Sequence, residues 1–280
     1  MKRLFTLLLA IIMCFACVSL SACSEEDSIR NLDDIVKSGK LTIATNAEFA
    51  PFESKEGTEY VGIDFDIAQE IADYLGVEVV VNNMDFDAVV TSVQNGQSDL
   101  ALAALTISEK RQKAINFSDA YFGAAQYLIV KSTNTEFDAC QTKEDVDTIL
   151  AASTGKKGVA QNATTGYYYL KGSEDFGFAG FSNIQTSGLE NPSLCAMALV
   201  NNQADYLIVD KEVAESVIAS NSGVKAIEIS LSSEEYGIGV NKNNQALLKI
   251  VNKVLANLKV VEGDGTSKLD KIFARHIVNG

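Results

Sequence analysis

Arg111 stands where a helix ordinarily carries an acid. The segment LALAALTISEKR, residues 100–111, is apolar up to Leu105 and turns polar at Thr106. Ser108 then reads as a helix N-cap, which puts Lys110 and Arg111 in the first turn. Unpaired N–H groups make a helix start partly positive, so Asp or Glu is preferred there. An arginine becomes favourable if an anion is held between its guanidinium and those N–H groups, and the Thr106 hydroxyl can join it. QNATTG, residues 161–166, offers a second uncharged helix start, with Gln161, Asn162, Thr164 and Thr165 at hand. Asp210, closing the run ADYLIVD, supplies a negative charge for a cation. Carboxylate plus ammonium on one small molecule is what an α-amino acid carries. Local sequence alone leaves other readings open. Arg111 can pair with Glu109 or Asp119, Asp210 can cap the helix KEVAESVIAS, and Phe49 and Phe86 can be core residues.

The elements around these residues alternate. KLTIAT reads as a strand, DFDIAQEIADYLG as a helix closed by Gly76, VEVVVN as a strand, DAVVTSVQNG as a helix and DLALAAL as a buried strand. Such alternation points to a parallel sheet with helices on its faces. Ligands of open α/β sheets sit beyond the carboxyl ends of the strands. The informative positions are therefore Asn46, Glu48, Phe49 and Phe52 after the first strand, Asp85, Phe86 and Asp87 after the second, and Ala104, Thr106 and Arg111 after the third. SVQNGQSDLALAA, residues 92–104, also lies over ALVNNQADYLIVD, residues 198–210, matching Asn95 with Asn201, Gln97 with Gln203 and Asp99 with Asp205. The repeat implies two lobes of the same α/β topology. AAQYLIVKS leaves the first lobe and AIEISLSSEEYGIGVNK returns to it, so the second lobe is inserted in the first and the two crossings form a hinge. Lobe 1 is expected over 31–124 and 234–280, lobe 2 over 125–233.

The chain opens MKRLFTLLLAIIMCFACVSLSACSEED, with basic residues, an apolar stretch, small residues and Cys23 before an acidic run. This is the layout of a secretory signal peptide over residues 1–22, and Leu20-Ser21-Ala22-Cys23 resembles a bacterial lipobox, with Cys23 the lipidated residue. The alternative is an uncleaved transmembrane anchor. Either way the protein is extracytoplasmic and tethered to the membrane, with residues 23–30 as lipid site and tether. Cleavage removes Lys2 and Arg3, taking the formal charge from −14 to −16, which argues against a nucleic-acid partner. Cys140 and Cys195 remain, and their spacing gives no geometric case for or against a disulfide. With His276 the only histidine and no cysteine cluster, a transition-metal site or a histidine-based triad is not expected. His276 itself is expected on the surface of the last helix.

KLTIATNAEFAPFE, YVGIDFDIAQEIADYLG, DFDAVVTSVQNGQSDLALAALTISEKRQKAINFSDAYF and VAQNATTG together resemble, in order, the signatures of extracellular solute-binding proteins that serve ABC importers of polar amino acids. The resemblance covers essentially the whole mature chain and implies a two-lobed periplasmic-binding-protein fold of type II. It implies that Arg111, helped by Thr106 and Thr165, grips the ligand α-carboxylate, that Asp210 takes the α-ammonium, and that Phe49 and Phe86 flank the ligand side chain. Asn46, Ala104, Gln161 and Thr164 complete the implied ligand-binding set. Partners would be a free amino acid, an ABC permease and the membrane, with no cofactor. Relatives often carry Asp where this chain has Asn46, and glutamine binders carry His where it has Val209. A neutral polar ligand is therefore expected, a basic one being the variant, with Glu48 as a replacement charge or a surface residue. The rival class is an extracytoplasmic enzyme on the same scaffold, similar to cyclohexadienyl dehydratases, with Glu48, Asp85 and Asp87 as its only candidate acids or bases. A sensory ligand-binding part of a receptor is a third reading.

Overall fold

In the computed structural model, residues 29–277 are described; the signal segment, Cys23 and the tether up to residue 28 lie outside the described residues. Two five-stranded sheets carry the molecule. In the first, the order is Glu78–Asn83, Lys40–Thr45, Leu100–Ala101, Gly239–Val240, Asn116–Phe117. In the second it is Gln185–Leu189, Lys157–Gln161, Tyr206–Asp210, Gln126–Lys131, Val224–Ile227. The first three strands of each sheet are parallel, and the strands added after them run antiparallel. Each sheet is thus mixed rather than wholly parallel, because strands on either side of the crossings arrive in the opposite direction. The chain passes between the sheets in a short antiparallel pair, Phe122–Ala124 against Glu234–Tyr236.

The sequence repeat has a geometric counterpart. In the first sheet Asp99 N–H donates to the Thr42 carbonyl and Thr42 N–H donates to the Asp99 carboxylate, both at 2.8 Å. In the second, Asp205 N–H donates to the Lys157 carbonyl at 2.8 Å, and Lys157 N–H to the Asp205 carboxylate at 2.9 Å. The turns before them also match: Gln97 N–H returns to Ser92 O, and Gln203 N–H to Ala198 O. The aspartate of each copy therefore locks the start of the third strand in the sheet to the second, Lys40–Thr45 or Lys157–Gln161, which fixes where both strands end. At those ends lie the candidate site residues.

Helices cover the sheets with the faces their periodicity dictates. Ile63–Leu75 buries Ile67, Ala68, Ile71 and Ala72, and ends at Gly76 in the left-handed conformation. Gln245–Leu258 and Lys268–His276 follow at the end of the chain, the latter with a full capping box at Ser267. Three sequence expectations need correction. DLALAAL pairs as a strand only over Leu100–Ala101, because the chain turns at Ala104, where φ is 43°. The run from Ala226 to Lys242 breaks into separate short strands. His276 is not simply a surface residue: it is partly buried, with Nε2 2.8 Å from the Asp66 carboxylate, which also accepts from Arg275. Cys140 and Cys195 are both free thiols, and burial pushes the Cys195 thiol up to about 12.

The two locks differ in burial, since Asp99 is buried and also pairs with Arg30, whereas the Asp205 side chain is well exposed. Asp99→Ala is expected to lower unfolding free energy by about 1.5–3 kcal/mol, the range for hydrogen bonds to a charged group, and Asp205→Ala by less. Urea unfolding of the soluble chain measures both.

Candidate functional site

Arg111 lies in the helix Glu109–Ala114, whose N-cap Ser108 accepts from the Arg111 N–H. The side chain does not run out to Glu109 or Asp119. It turns inward, is 7 % exposed, and forms no salt bridge among the described residues. One terminal nitrogen donates to the Thr106 carbonyl at 2.8 Å, the other to the Ala163 carbonyl of the second lobe at 3.2 Å. The guanidinium carbon stands over the Phe86 ring, 5.2 Å from its centre. Burial lowers the Arg111 pKa to about 10, against the pull of the Glu234 charge, so the group remains a cation at neutral pH. A guanidinium has five donors; two are engaged by carbonyls and others remain for an anion.

Thr106 and Thr165 meet across the lobes with their hydroxyls 3.1 Å apart. Thr106 has a single hydroxyl proton and donates it to Glu234 at 2.9 Å, so Thr165 is the donor between the two threonines. Thr164 differs from Thr165. Its hydroxyl donates to the Gln161 carbonyl and accepts from the Tyr167 N–H as the cap of the helix Thr165–Lys171, so both its roles are local. Gly166 follows, and a Cβ there would sit 2.7 Å from the Ile208 carbonyl. Only glycine lets this helix start approach the strand that ends at Asp210.

Asp210 is buried at the end of Tyr206–Asp210 and makes no side-chain cap bond to the helix Lys211–Ser220, which removes the capping alternative. Its carboxylate accepts from the Tyr236 hydroxyl instead. Burial, reinforced by the Glu234 charge, pushes it up to about 7. Ala104, at the positive-φ turn, gives its N–H to Asp64 at 2.8 Å, and Asp64 also accepts from Tyr121 at 2.7 Å.

At the other end of the interlobe space, Gln161 Nε2 donates to the Asn46 side-chain oxygen at 2.7 Å and to the Glu190 carbonyl at 2.9 Å. Asn46 Nδ2 donates to the Met84 carbonyl at 2.9 Å. Backbone carbonyls accept only, so both amide orientations are fixed, and Gln161 Oε1 is left buried without a donor. Phe49 is buried against Phe52, and Phe86 is half-buried. Glu48, Asp85 and Asp87 are exposed; Glu48 accepts from Asn191 and Asp87 from Asn162, both across the lobes. Cavities of about 290 and 330 Å³ lie beside Phe86, the first against Arg111 and Ala163, the second against Asp87 and Asn162. A third, about 1030 Å³, opens on Thr106, Thr165 and Glu234. These bonds hold the lobes closed on each other.

Sequence reading missed the acids and tyrosines behind this layer: buried Glu53, Asp64, Tyr121 and Tyr236, and half-buried Glu234. Glu53 and Asp64 stand inside the motif segments, where the sequence assigned them no role. Glu53 is fully buried beside Asp64, and burial, then the charges of Asp64 and Asp210, raise its pKa well above the usual range. Asp64 is raised to about 6 by burial. A carboxyl raised in the fold binds its proton more tightly there than when unfolded, so stability falls as pH rises through that interval. The ligand-free protein is therefore expected to lose unfolding midpoint between about pH 4 and pH 7, from the unfolded carboxyl range up to the folded one. Thermal scans across that range measure the slope, and Asp210→Asn is expected to flatten it.

Residues 41–276 match the family described as bacterial extracellular solute-binding proteins, family 3. The chain is 28 % identical over 277 residues to the arginine-binding extracellular protein ArtP of Bacillus subtilis (strain 168), covering 97 % of this chain and 96 % of that one. It is also 28 % identical over 291 residues to the ABC transporter glutamine-binding protein GlnH of the same organism, covering 99 % and 98 %. Among solved structures, the P235GK mutant of ArgBP from T. maritima superposes with a TM-score of 0.75 at 31 % identity, covering 89 % of this chain and 99 % of that one. The ancestral amino acid-binding protein AncCDT-1, a precursor of cyclohexadienyl dehydratase, superposes at 0.73 with 29 % identity, covering 88 % and 99 %. The chain belongs to the bacterial extracellular solute-binding proteins of family 3.

Proposed function

We propose that this protein captures a free polar amino acid outside the cytoplasm and delivers it to an ABC permease, without transforming it. One observation carries the reading. Arg111 is a buried cation and Asp210 a buried carboxylate, on different lobes, and neither has a salt-bridge partner among the described residues. Leaving a buried charge uncompensated costs about 3–5 kcal/mol, and an α-amino acid supplies both counter-charges at once. Arg111, Thr106 and Thr165 hold the carboxylate, Asp210 holds the ammonium, and Ala104 completes the set. Because the two charges come from different lobes, the ligand touches both only when they are closed, and differential contact of that kind is what shifts a closing equilibrium.

Asn46, Phe49, Phe86 and Gln161 face the ligand side chain in this reading. The unsatisfied Gln161 Oε1 asks for a donor, which favours a side chain ending in N–H and disfavours a carboxylate. Asn46 and Gln161 carry no charge, which supports a neutral ligand of the glutamine type over arginine. Cys23 is the lipid attachment point that keeps the protein at the membrane. Similarity to arginine- and glutamine-binding relatives supports capture. Glu48, Asp85 and Asp87, the acids named for the enzyme alternative, are exposed.

Thermal unfolding of the soluble chain, stripped of ligand and screened against the common amino acids, is expected to show a raised midpoint with one or a few related ones; no shift with any contradicts the reading. Arg111→Ala is expected to weaken binding by about 3–5 kcal/mol, the cost of an unpaired buried carboxylate. Affinity is also expected to fall as pH drops below about 7, because the ammonium needs Asp210 ionised and the free protein holds its proton up to about 7. Prolonged incubation is expected to return the amino acid unchanged.

A further inference from the structure

The helix bearing Arg111 meets the second lobe through three side chains, Lys110, Arg111 and Lys113. Lys110 Nζ donates to the Tyr168 hydroxyl at 2.8 Å and stands 4.5 Å from the centre of that ring. Lys113 pairs with Asp175 at 2.5 Å. Between them, the Arg111 guanidinium carbon stands over Phe176, 5.5 Å from its ring centre. Phe176 ends the short 3-10 helix Glu174–Phe176 and is itself backed by Tyr168, stacked at 4.6 Å with 21° between the planes. Rings and cations therefore form one stack, in the order Phe86, Arg111, Phe176, Tyr168, Lys110.

The origins of the two rings on Arg111 differ. Phe86 begins the helix Phe86–Gln94 of the first lobe and stays with Arg111 whatever the second lobe does. Phe176 belongs to the second lobe, so its contact with the guanidinium depends on how the two lobes are placed. Ring faces attract a guanidinium within about 6 Å, more strongly when water is excluded. They offer it no competing acceptor, so its unused N–H groups stay directed at an anion.

We propose that Phe176, held by Tyr168, is a positioning residue for Arg111: it covers the guanidinium as the lobes close and keeps it oriented for the ligand carboxylate. The inference rests on the reading of Arg111 as the carboxylate site. It makes Phe176 a determinant of how long the closed complex lasts, although Phe176 need not touch the ligand. The salt bridge beside it is exposed and contributes little.

Calorimetric and stopped-flow titrations with L-glutamine and L-arginine test this on the full soluble chain. Phe176→Leu keeps an apolar side chain at a half-buried position but removes the ring. Affinity is expected to fall about 2- to 30-fold, the range for one cation–π contact, chiefly through faster dissociation, with the ligand-free unfolding midpoint unchanged. Phe176→Trp is expected to restore affinity, and since the chain has no Trp, its single indole should change emission on ligand addition. In an Arg111→Lys background, the Phe176→Leu loss is expected to shrink to less than two-fold. Unchanged affinity in Phe176→Leu, or an equal loss in both backgrounds, overturns the proposal. If Arg111→Lys itself binds as well as the unaltered protein, the carboxylate reading of Arg111 has failed instead.

Discussion

A buried guanidinium with no salt-bridge partner among the described residues is the constraint around which this fold is arranged. Arg111 is carried inward by a six-residue helix too short to fix it by its own packing. Its position is set by neighbours: the Ser108 cap, the Thr106 carbonyl, the Ala163 carbonyl and the Phe86 ring. Thr106 is available because the chain leaves its strand early, at the positive-φ Ala104, whose N–H is tied to Asp64. The aspartate locks at Asp99 and Asp205 fix the strands that lead to Ala104 and Asp210. Carbonyl oxygens and rings solvate the cation without neutralising it, so the charge stays available to a ligand.

The acids behind the site follow the same logic with the opposite sign. Glu53, Asp64 and Asp210 are buried together with Tyr121 and Tyr236, and burial favours their protonated forms. Tyr236 links this layer to the hinge, since it pairs with Phe122 across the crossing strands and donates to Asp210. Glu234, two residues earlier, accepts from Thr106. The chain crossing, the Thr106 hydroxyl and the carboxylate of Asp210 are thus mechanically connected. An ammonium arriving at Asp210 would act on the chain crossing between the two sheets.

The periodic parts of the fold were readable from sequence because they depend on local pattern. Ile67, Ile71 and Ala72 at helical spacing, closed by Gly76, give the helix Ile63–Leu75, and the repeat around Asp99 and Asp205 reflects a real strand lock. Strand-end logic also picked out Thr106, Arg111, Thr165 and Asp210, which the structure brings to one interlobe region. Thr164 was not separable from Thr165 by sequence, because which hydroxyl caps a helix depends on where the helix starts by one residue. Glu53 and Asp64 were out of reach for another reason. An acid at a helix start or a strand end looks solvated until the packing of Phe52, Tyr121 and Tyr236 removes the water. Phe176 lies in a stretch without periodicity, and its contact with Arg111 exists only once the two lobes are placed together.

Arg111, in this reading, waits for a carboxylate. Calorimetric titration of the ligand-stripped protein with L-glutamine and L-arginine, each compared with its α-carboxamide, addresses that claim directly. The amides keep the ammonium and the side chain and lose only the anionic group. The expected result is binding of the free amino acid with the amide weakened by about 100-fold or more, as an unpaired buried charge requires. Equal binding of amino acid and amide would contradict the account, and the buried cation at Arg111 would then need another explanation.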